Sequence, residues 1–158
     1  MDTKKCCFTG RRNIPNEYIE SIYRELEKEV LKAISEGYTC FLSGFASGAD
    51  LMAAQTVINI RSKNDGIQLE AYLPYAQREN SRSISNLLSK CDEKIICSDI
   101  YYKGCYHKRN RCMVGQCQKL IAITDGKEGG GTGYTIDYAR KPANKSQDLF
   151  AGFLNVLN

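Results

Sequence analysis

Five short apolar runs alternate with helix-forming stretches along this chain, and that alternation limits the folds open to it. The runs occupy residues 5–9, 38–42, 67–73, 93–97 and 120–124. Runs this short, closed by Gly10, Gly44 or Pro74, read as buried strands. Between them, residues 16–36 give the clearest helix. Ile19, Ile22, Tyr23, Leu26, Val30, Ala33 and Ile34 recur at three- and four-residue spacing. Pro15 stands at its start and Gly37 at its end, as helix geometry favours. Its opposite face carries Glu20, Glu25, Glu27, Lys28, Glu29 and Lys32, a solvated surface. Weaker helical patterns run from Leu51 to Ile58, over 77–89 and over 107–117. Strands alternating with helices build a parallel sheet covered on both faces. The expected fold is therefore an α/β three-layer sandwich with a mainly parallel sheet of at least five strands.

The 158 residues are 42% hydrophobic and 25% charged, enough for one domain with a sizeable core. No apolar run approaches the ~20 residues of a membrane span. The start, MDTKKCCFTG, lacks the apolar segment of a signal peptide. A cytoplasmic location without a membrane partner is the default expectation. The net charge of +4 suits anionic small molecules as well as nucleic acid.

Eight cysteines accompany a single histidine, His107, and no Cys-x-x-Cys occurs, so neither a metal site nor a cofactor is expected. Cys6, Cys7, Cys40 and Cys97 read as small hydrophobes within strands. Cys105, Cys112 and Cys117 flank a region that other motifs mark as a site. A nucleophilic cysteine there would need His107 as its base, and nothing else in the chain supports one.

The stretch LIAITDGKEGGGTGYTIDYAR, residues 120–140, joins the fifth strand to a helix. Asp125-Gly126 ends the strand. Gly129, Gly130 and Gly131 allow positive φ and close backbone approach, because no Cβ intervenes. Thr132 is placed to cap the helix, and Ile136 and Ala139 share its buried face. Unpaired N–H groups and the helix dipole make such a turn an anion site, although the same pattern also serves as a plain tight turn. Residues 43–50, SGFASGAD, repeat the arrangement after the second strand. There Asp50 either favours the helix start or bonds a ligand hydroxyl. Arg11 and Arg12 follow Gly10 and suit a phosphate clamp or a solvated loop. Tyr101, Tyr102 and Tyr106 suit base stacking or packing. These motifs all fall at strand carboxyl ends, where parallel sheets bind ligands.

CCFTGRR, LSGFASGADLMAA, YLPYAQ, HKRNRCMVGQCQKLIAITDG and GGGTGYTIDYA follow one another in this order. The set resembles the YpsA/YoqJ-like branch of the SLOG superfamily, which also contains the DprA/Smf DNA-processing proteins and the LOG-type phosphoribohydrolases. The resemblance covers residues 4–141. It implies a Rossmann-like domain spanning residues 1–158, a nucleotide-type ligand and a homodimer. The matching positions are Gly10 and Arg11, then Ser43, Gly44, Gly48 and Asp50. Arg109, Asn110 and Met113 match an Arg-Asn-x-x-Met segment, and Gly130, Gly131, Thr132 and Thr135 match the phosphate loop. Relatives usually read Thr-Gly-His-Arg-Pro at the first strand; this chain has Arg11 and Asn13 in place of the histidine and proline. The tail from Lys141 departs from the usual final strand. Its apolar residues, Leu149, Phe150, Phe153, Leu154 and Val156, suggest a short helix.

Three functions fit these residues. The first is a module that senses or sequesters a nucleotide-type small molecule, with phosphate at residues 129–132, charge neutralised by Arg11 and Arg109, and Asp50 or Asn110 on a hydroxyl or base edge. The second is a LOG-like hydrolase of nucleoside monophosphates. LOG enzymes read Gly-Gly-x-Gly-Thr-x-x-Glu, and Thr135 falls at the glutamate, where no acid or base remains. Asp137, two residues on, is turned about 200° around the helix. No catalytic residue is therefore assigned. The third is binding of a single nucleic-acid strand through Lys103, His107, Lys108, Arg109, Arg111 and Lys119 with interleaved tyrosines. Acidic helix faces offset that basic stretch and make it the weakest of the three.

Overall fold

The computed structural model describes residues 3–124, 129–141 and 152–154. Six strands, β1 (Lys4–Gly10), β2 (Tyr38–Ser43), β3 (Gln68–Leu73), β4 (Glu93–Ile96), β5 (Lys119–Ile123) and β6 (Gly152–Leu154), form one sheet in the order β4-β3-β2-β1-β5-β6. Every neighbouring pair is parallel. The chain starts at β1 in the middle of the sheet, builds outward to β4, then returns to β1's other side to lay down β5 and β6. The strand order reverses between β1 and β5.

Side chains alternate across the sheet with period two and so make two cores. Cys6, Phe8, Phe41, Leu69, Leu73, Ile121 and Ile123 pack with helices α1 (Asn16–Ser35), α2 (Ala49–Arg61) and α3 (Arg82–Leu88). Cys7, Cys40, Leu42, Tyr72, Leu120 and Ala122 face the other way, against α4 (Cys105–Gln116) and α5 (Gly130–Ala139). Right-handed crossovers produce this split, because the direction of travel along the sheet decides which face a helix covers. Helix α1 buries Ile22, Leu26, Val30 and Ala33 in one stripe. Each of its large side chains contributes roughly 1.5–3 kcal/mol on burial. Gly37, with φ +97°, ends the helix as expected.

Four local expectations need correction. Residues 77–89 are not one helix. A 3-10 turn (Ala76–Asn80) precedes α3, because Ser81 is extended at φ −69°, ψ 124°. Helix α4 starts at Cys105 rather than His107, since Gly104 takes the left-handed conformation just before it. Thr132 does not cap α5. Gly129 occupies that position, extended and without a side-chain bond, and Thr132 lies in the first turn. In the tail, residues 152–154 form a strand rather than a helix, because the open backbone edge of β5 accepts parallel partners there. The expectations for Asp125-Gly126, Leu149, Phe150 and Val156 lie outside the described residues. Among the described residues, no helix is long and apolar enough to cross a membrane.

Candidate functional site

The carboxyl ends of β1, β2 and β5 converge on a cavity of about 290 Å³. Strand β1 brings Gly10 and the following Arg11, Arg12 and Asn13 to its rim. The first turn of α2 supplies Asp50, α4 supplies Tyr106, His107, Arg109 and Asn110, and the start of α5 supplies Gly129, Gly131 and Thr132. The cavity straddles the point where strand order reverses, the place at which open α/β sheets bind ligands.

Arg109 is its electrostatic centre. Although charged, it is only 3% exposed. Its Nη1 donates to the Gly44 carbonyl at 2.6 Å and the Tyr72 carbonyl at 3.2 Å, and Nε donates to Asn110 Oδ1 at 2.7 Å. One guanidinium thus ties the ends of β2 and β3 to α4. Burial lowers the guanidinium's affinity for its proton, and the nearby Asp50 carboxylate opposes that effect. Asp50 is 7% exposed and shows the converse. Burial pushes its carboxyl above the ordinary range, while Arg109, the Ala46 N–H at 3.4 Å and Arg12 pull it back. Tyr106 places its ring beneath both Arg12, at 4.8 Å, and Arg109, at 5.5 Å.

The two glycine turns differ in what fills them. At Gly44, a Cβ would lie 2.5 Å from Arg109 Nη1. At Gly48, with φ +80°, it would lie 2.2 Å from the Arg12 carbonyl oxygen. Arg11 accepts the Ala49 N–H at 2.9 Å, so the loop after β1 lies directly on the start of α2. Ser43 is buried, donating to the Asp50 carbonyl and accepting the Phe45 N–H. Phe45 itself holds φ 55°, a left-handed conformation kept by its fully buried ring. By contrast, among the described residues a Cβ on Gly129, Gly130 or Gly131 would meet no atom within 4 Å, although Gly130 itself holds a φ of +60° that favours glycine.

Of the expected site residues, Gly10, Arg11, Asp50, Arg109, Asn110, Gly129, Gly131 and Thr132 share the cavity. Ser43, Gly44 and Thr135 lie behind it in the protein interior, and Gly48 and Gly130 do not line it. Thr135 is fully buried, and its hydroxyl donates to the Gly131 carbonyl at 2.8 Å. Thr9, Asn13 and Ala46 line the cavity without a sequence signal, Thr9 from the end of β1 and the other two through the path of their loops. Cys105, Cys112 and Cys117 are absent from its lining. Lys119 leaves the expected basic stretch altogether. It sits 1% exposed at the opposite end of the sheet, paired with Glu36. Among the described residues, no three metal-ligating side chains gather.

Parallel order with a cleft at the reversal point defines a Rossmann-like α/β protein. The chain belongs to the YspA SLOG family, whose model matches residues 11–154, in agreement with the motifs seen in the sequence. It is 25% identical over 131 residues to UPF0398 protein BH1768 of Halalkalibacterium halodurans, covering 78% of this chain and 69% of that protein. Two solved structures share the fold. DNA processing protein A from Helicobacter pylori, described for its single-stranded DNA binding mode, superposes with a TM-score of 0.62 at 19% identity, covering 98% of this chain and 67% of its own. The structural-genomics target TM1055 superposes at 0.56, also at 19% identity, covering 87% and 68%.

Proposed function

We propose that this chain binds a nucleotide-type small molecule in the cavity at the strand reversal and acts as a sensing or sequestering module. The observation that carries this reading is the start of α5. Gly129 and Gly131, which no described neighbouring atom requires, stand at a helix N-terminus, against a cavity rimmed by Arg11, Arg12 and Arg109. The first-turn N–H groups of a helix have no intrahelical acceptor, and the dipole there favours an anion. A phosphate would accept from the N–H groups of residues 130–132 while the arginines balance its charge. Asp50 and Asn110 would meet a hydroxyl or a base edge, and Tyr106 would lie against an apolar or aromatic portion. About 290 Å³ is at the low end for small-molecule sites and suits a mononucleotide or sugar phosphate better than a dinucleotide.

The runner-up is hydrolysis of an N-glycosidic bond. Asp50 favours it, as a cavity carboxyl whose raised pKa is the state a general acid needs. Against it, Thr135 holds no acid–base group, and Asp137 is exposed to solvent. Binding of a single nucleic-acid strand rests on the likeness to DNA processing protein A. Burial of Arg109 and Lys119 shortens the basic track it would use.

Thermal unfolding against AMP, ADP, ATP, cyclic nucleotides, NAD, ADP-ribose and ribose 5-phosphate tests the proposal. A ligand at ~100 times its Kd stabilises the folded state by about 2.7 kcal/mol. One selective rise in Tm, lost in Gly131→Asp while that variant's own Tm holds, is the expected result. An unchanged affinity in Gly131→Asp would sink the phosphate-loop assignment. Release of free base from the selected ligand would move the reading to hydrolase. A flat panel together with salt-sensitive binding of single-stranded DNA would move it to nucleic acid.

A further inference from the structure

We propose that the groove between α1, α2 and α3 is a second binding site, for a small amphipathic anion: a carboxylate, sulfonate or phosphate on an aliphatic or aromatic body. The groove holds about 860 Å³, within the range of small-molecule sites. Helix α1 brings Ile19 and Tyr23 to it, α2 brings Leu51 and Met52, and α3 brings Leu87. Ile19, Tyr23, Leu51 and Leu87 pack on the core beneath yet are only partly buried, so part of their apolar surface stays in water. Covering that surface with an apolar body is favourable.

Charge decides which body fits. Among the described residues that line the groove, Arg11, Arg12 and Lys90 are cationic and none is a carboxylate. Pro15 and Gly48, which stand directly before α1 and α2, also line it, so the positive ends of two helices border the same space. A neighbouring groove of about 650 Å³, also between α1 and α2, shows what the charge adds. It carries Glu20 and Glu27 along with Arg24 and Lys63, and this balance gives an anion no advantage.

One loop separates the larger groove from the cavity at the strand reversal. Arg11, Arg12 and Asn13 line both spaces. The Arg11 carbonyl accepts the Ala49 N–H at 2.9 Å, which lays this wall on the start of α2. On the cavity side, the Arg12 guanidinium lies 4.8 Å from the centre of the Tyr106 ring. A guest seated against Arg11 and Ile14 therefore pins the wall onto α2. The groove's own binding stands whether or not the cavity takes a nucleotide.

Anilinonaphthalene sulfonate, itself an apolar anion, is the probe. The full chain should brighten the dye saturably, decanoate should displace it, and decanol at the same concentration should displace it several-fold less well. Leu87→Asp should remove the displaceable signal. Lys90→Glu changes an exposed residue, so the fold holds, and it should weaken decanoate several-fold while leaving decanol little changed. Leu31→Asp, on the neighbouring groove, should keep the wild-type affinity. With decanoate bound, the Ala49 amide should exchange with deuterium several-fold more slowly. Equal displacement by decanol, wild-type binding in both Leu87→Asp and Lys90→Glu, or loss of binding in Leu31→Asp would overturn the site. Unchanged exchange at Ala49 would overturn the pinning of the loop. A dimer in solution that Leu87→Asp splits into monomers would give the groove to a second copy of the chain and overturn the small-anion reading.

Discussion

The starts of α2 and α5 carry the same signature of strand, glycines and helix, yet among the described residues the glycines of one are packed against and those of the other are not. After β2, each glycine makes room for the protein itself. Gly44 admits the Arg109 guanidinium, and Gly48 admits the backbone of the loop after β1. After β5, Gly130 is needed for its φ of +60°, but Gly129 and Gly131 border space that no described residue fills. A glycine that internal packing requires says nothing about a ligand. A glycine with no neighbour to accommodate is the one that calls for something from outside.

The same substitution on the two sides should therefore have opposite signs. Gly48→Ala forces a Cβ into the Arg11 and Arg12 carbonyls at a positive φ, and should lower the unfolding free energy by about 4 kcal/mol in urea titrations. A loss below about 1 kcal/mol would mean that the loop after β1 yields and that the first turn is not filled by necessity. Arg109→Met removes the donor shared by Gly44 and Tyr72 and leaves Asp50 with Arg12 as its remaining cation, so a loss of about 2–4 kcal/mol is expected by the same measurement.

Asp50 sharpens the comparison through pH. Its folded-state pKa lies above the ordinary 3.8 because of burial. From that value upward to the folded pKa, the native state holds a proton that the unfolded chain has released. Its contribution to stability therefore falls as pH rises through the window. Asp50→Asn keeps an acceptor for the Ala46 N–H, so it should flatten that slope and unfold at higher urea than wild type at pH 7. A variant slope equal to the wild-type slope would show that Asp50 is as well solvated folded as unfolded. The smallest effect belongs to the start of α5. Gly131→Ala adds a methyl where no atom lies within 4 Å, and should raise stability by about 0.5–1 kcal/mol through helix propensity. Destabilisation there would show that the turn is packed after all.

Much of the architecture was legible because burial imposes a period. In β1, Cys6 and Phe8 face one core and Cys7 the other, so both faces are apolar and the strand reads as a short continuous run. Helix α1 announced itself through its single buried stripe. What stayed hidden was set by distant partners. Residues 152–154 carry no pattern that separates helix from strand; the waiting edge of β5 decides. Arg109 looks like any basic residue on a polar helix, and only the Gly44 and Tyr72 carbonyls explain its burial. Lys119 sits ten residues before Gly129 in the chain yet belongs to the far end of the sheet, because a strand carries its two ends apart.

The central place of β1 bears on how the chain reaches this fold. The first strand needs β2 on one side and β5 on the other, and Lys5 donates its backbone N–H to Gln118 across 113 positions. During synthesis, β1 to β4 can pair in the order they emerge, but one side of the middle strand stays bare until the fifth arrives. The closing step is a long-range one, slow by the logic of contact order, and the half-built sheet meanwhile shows an open edge to every other nascent chain.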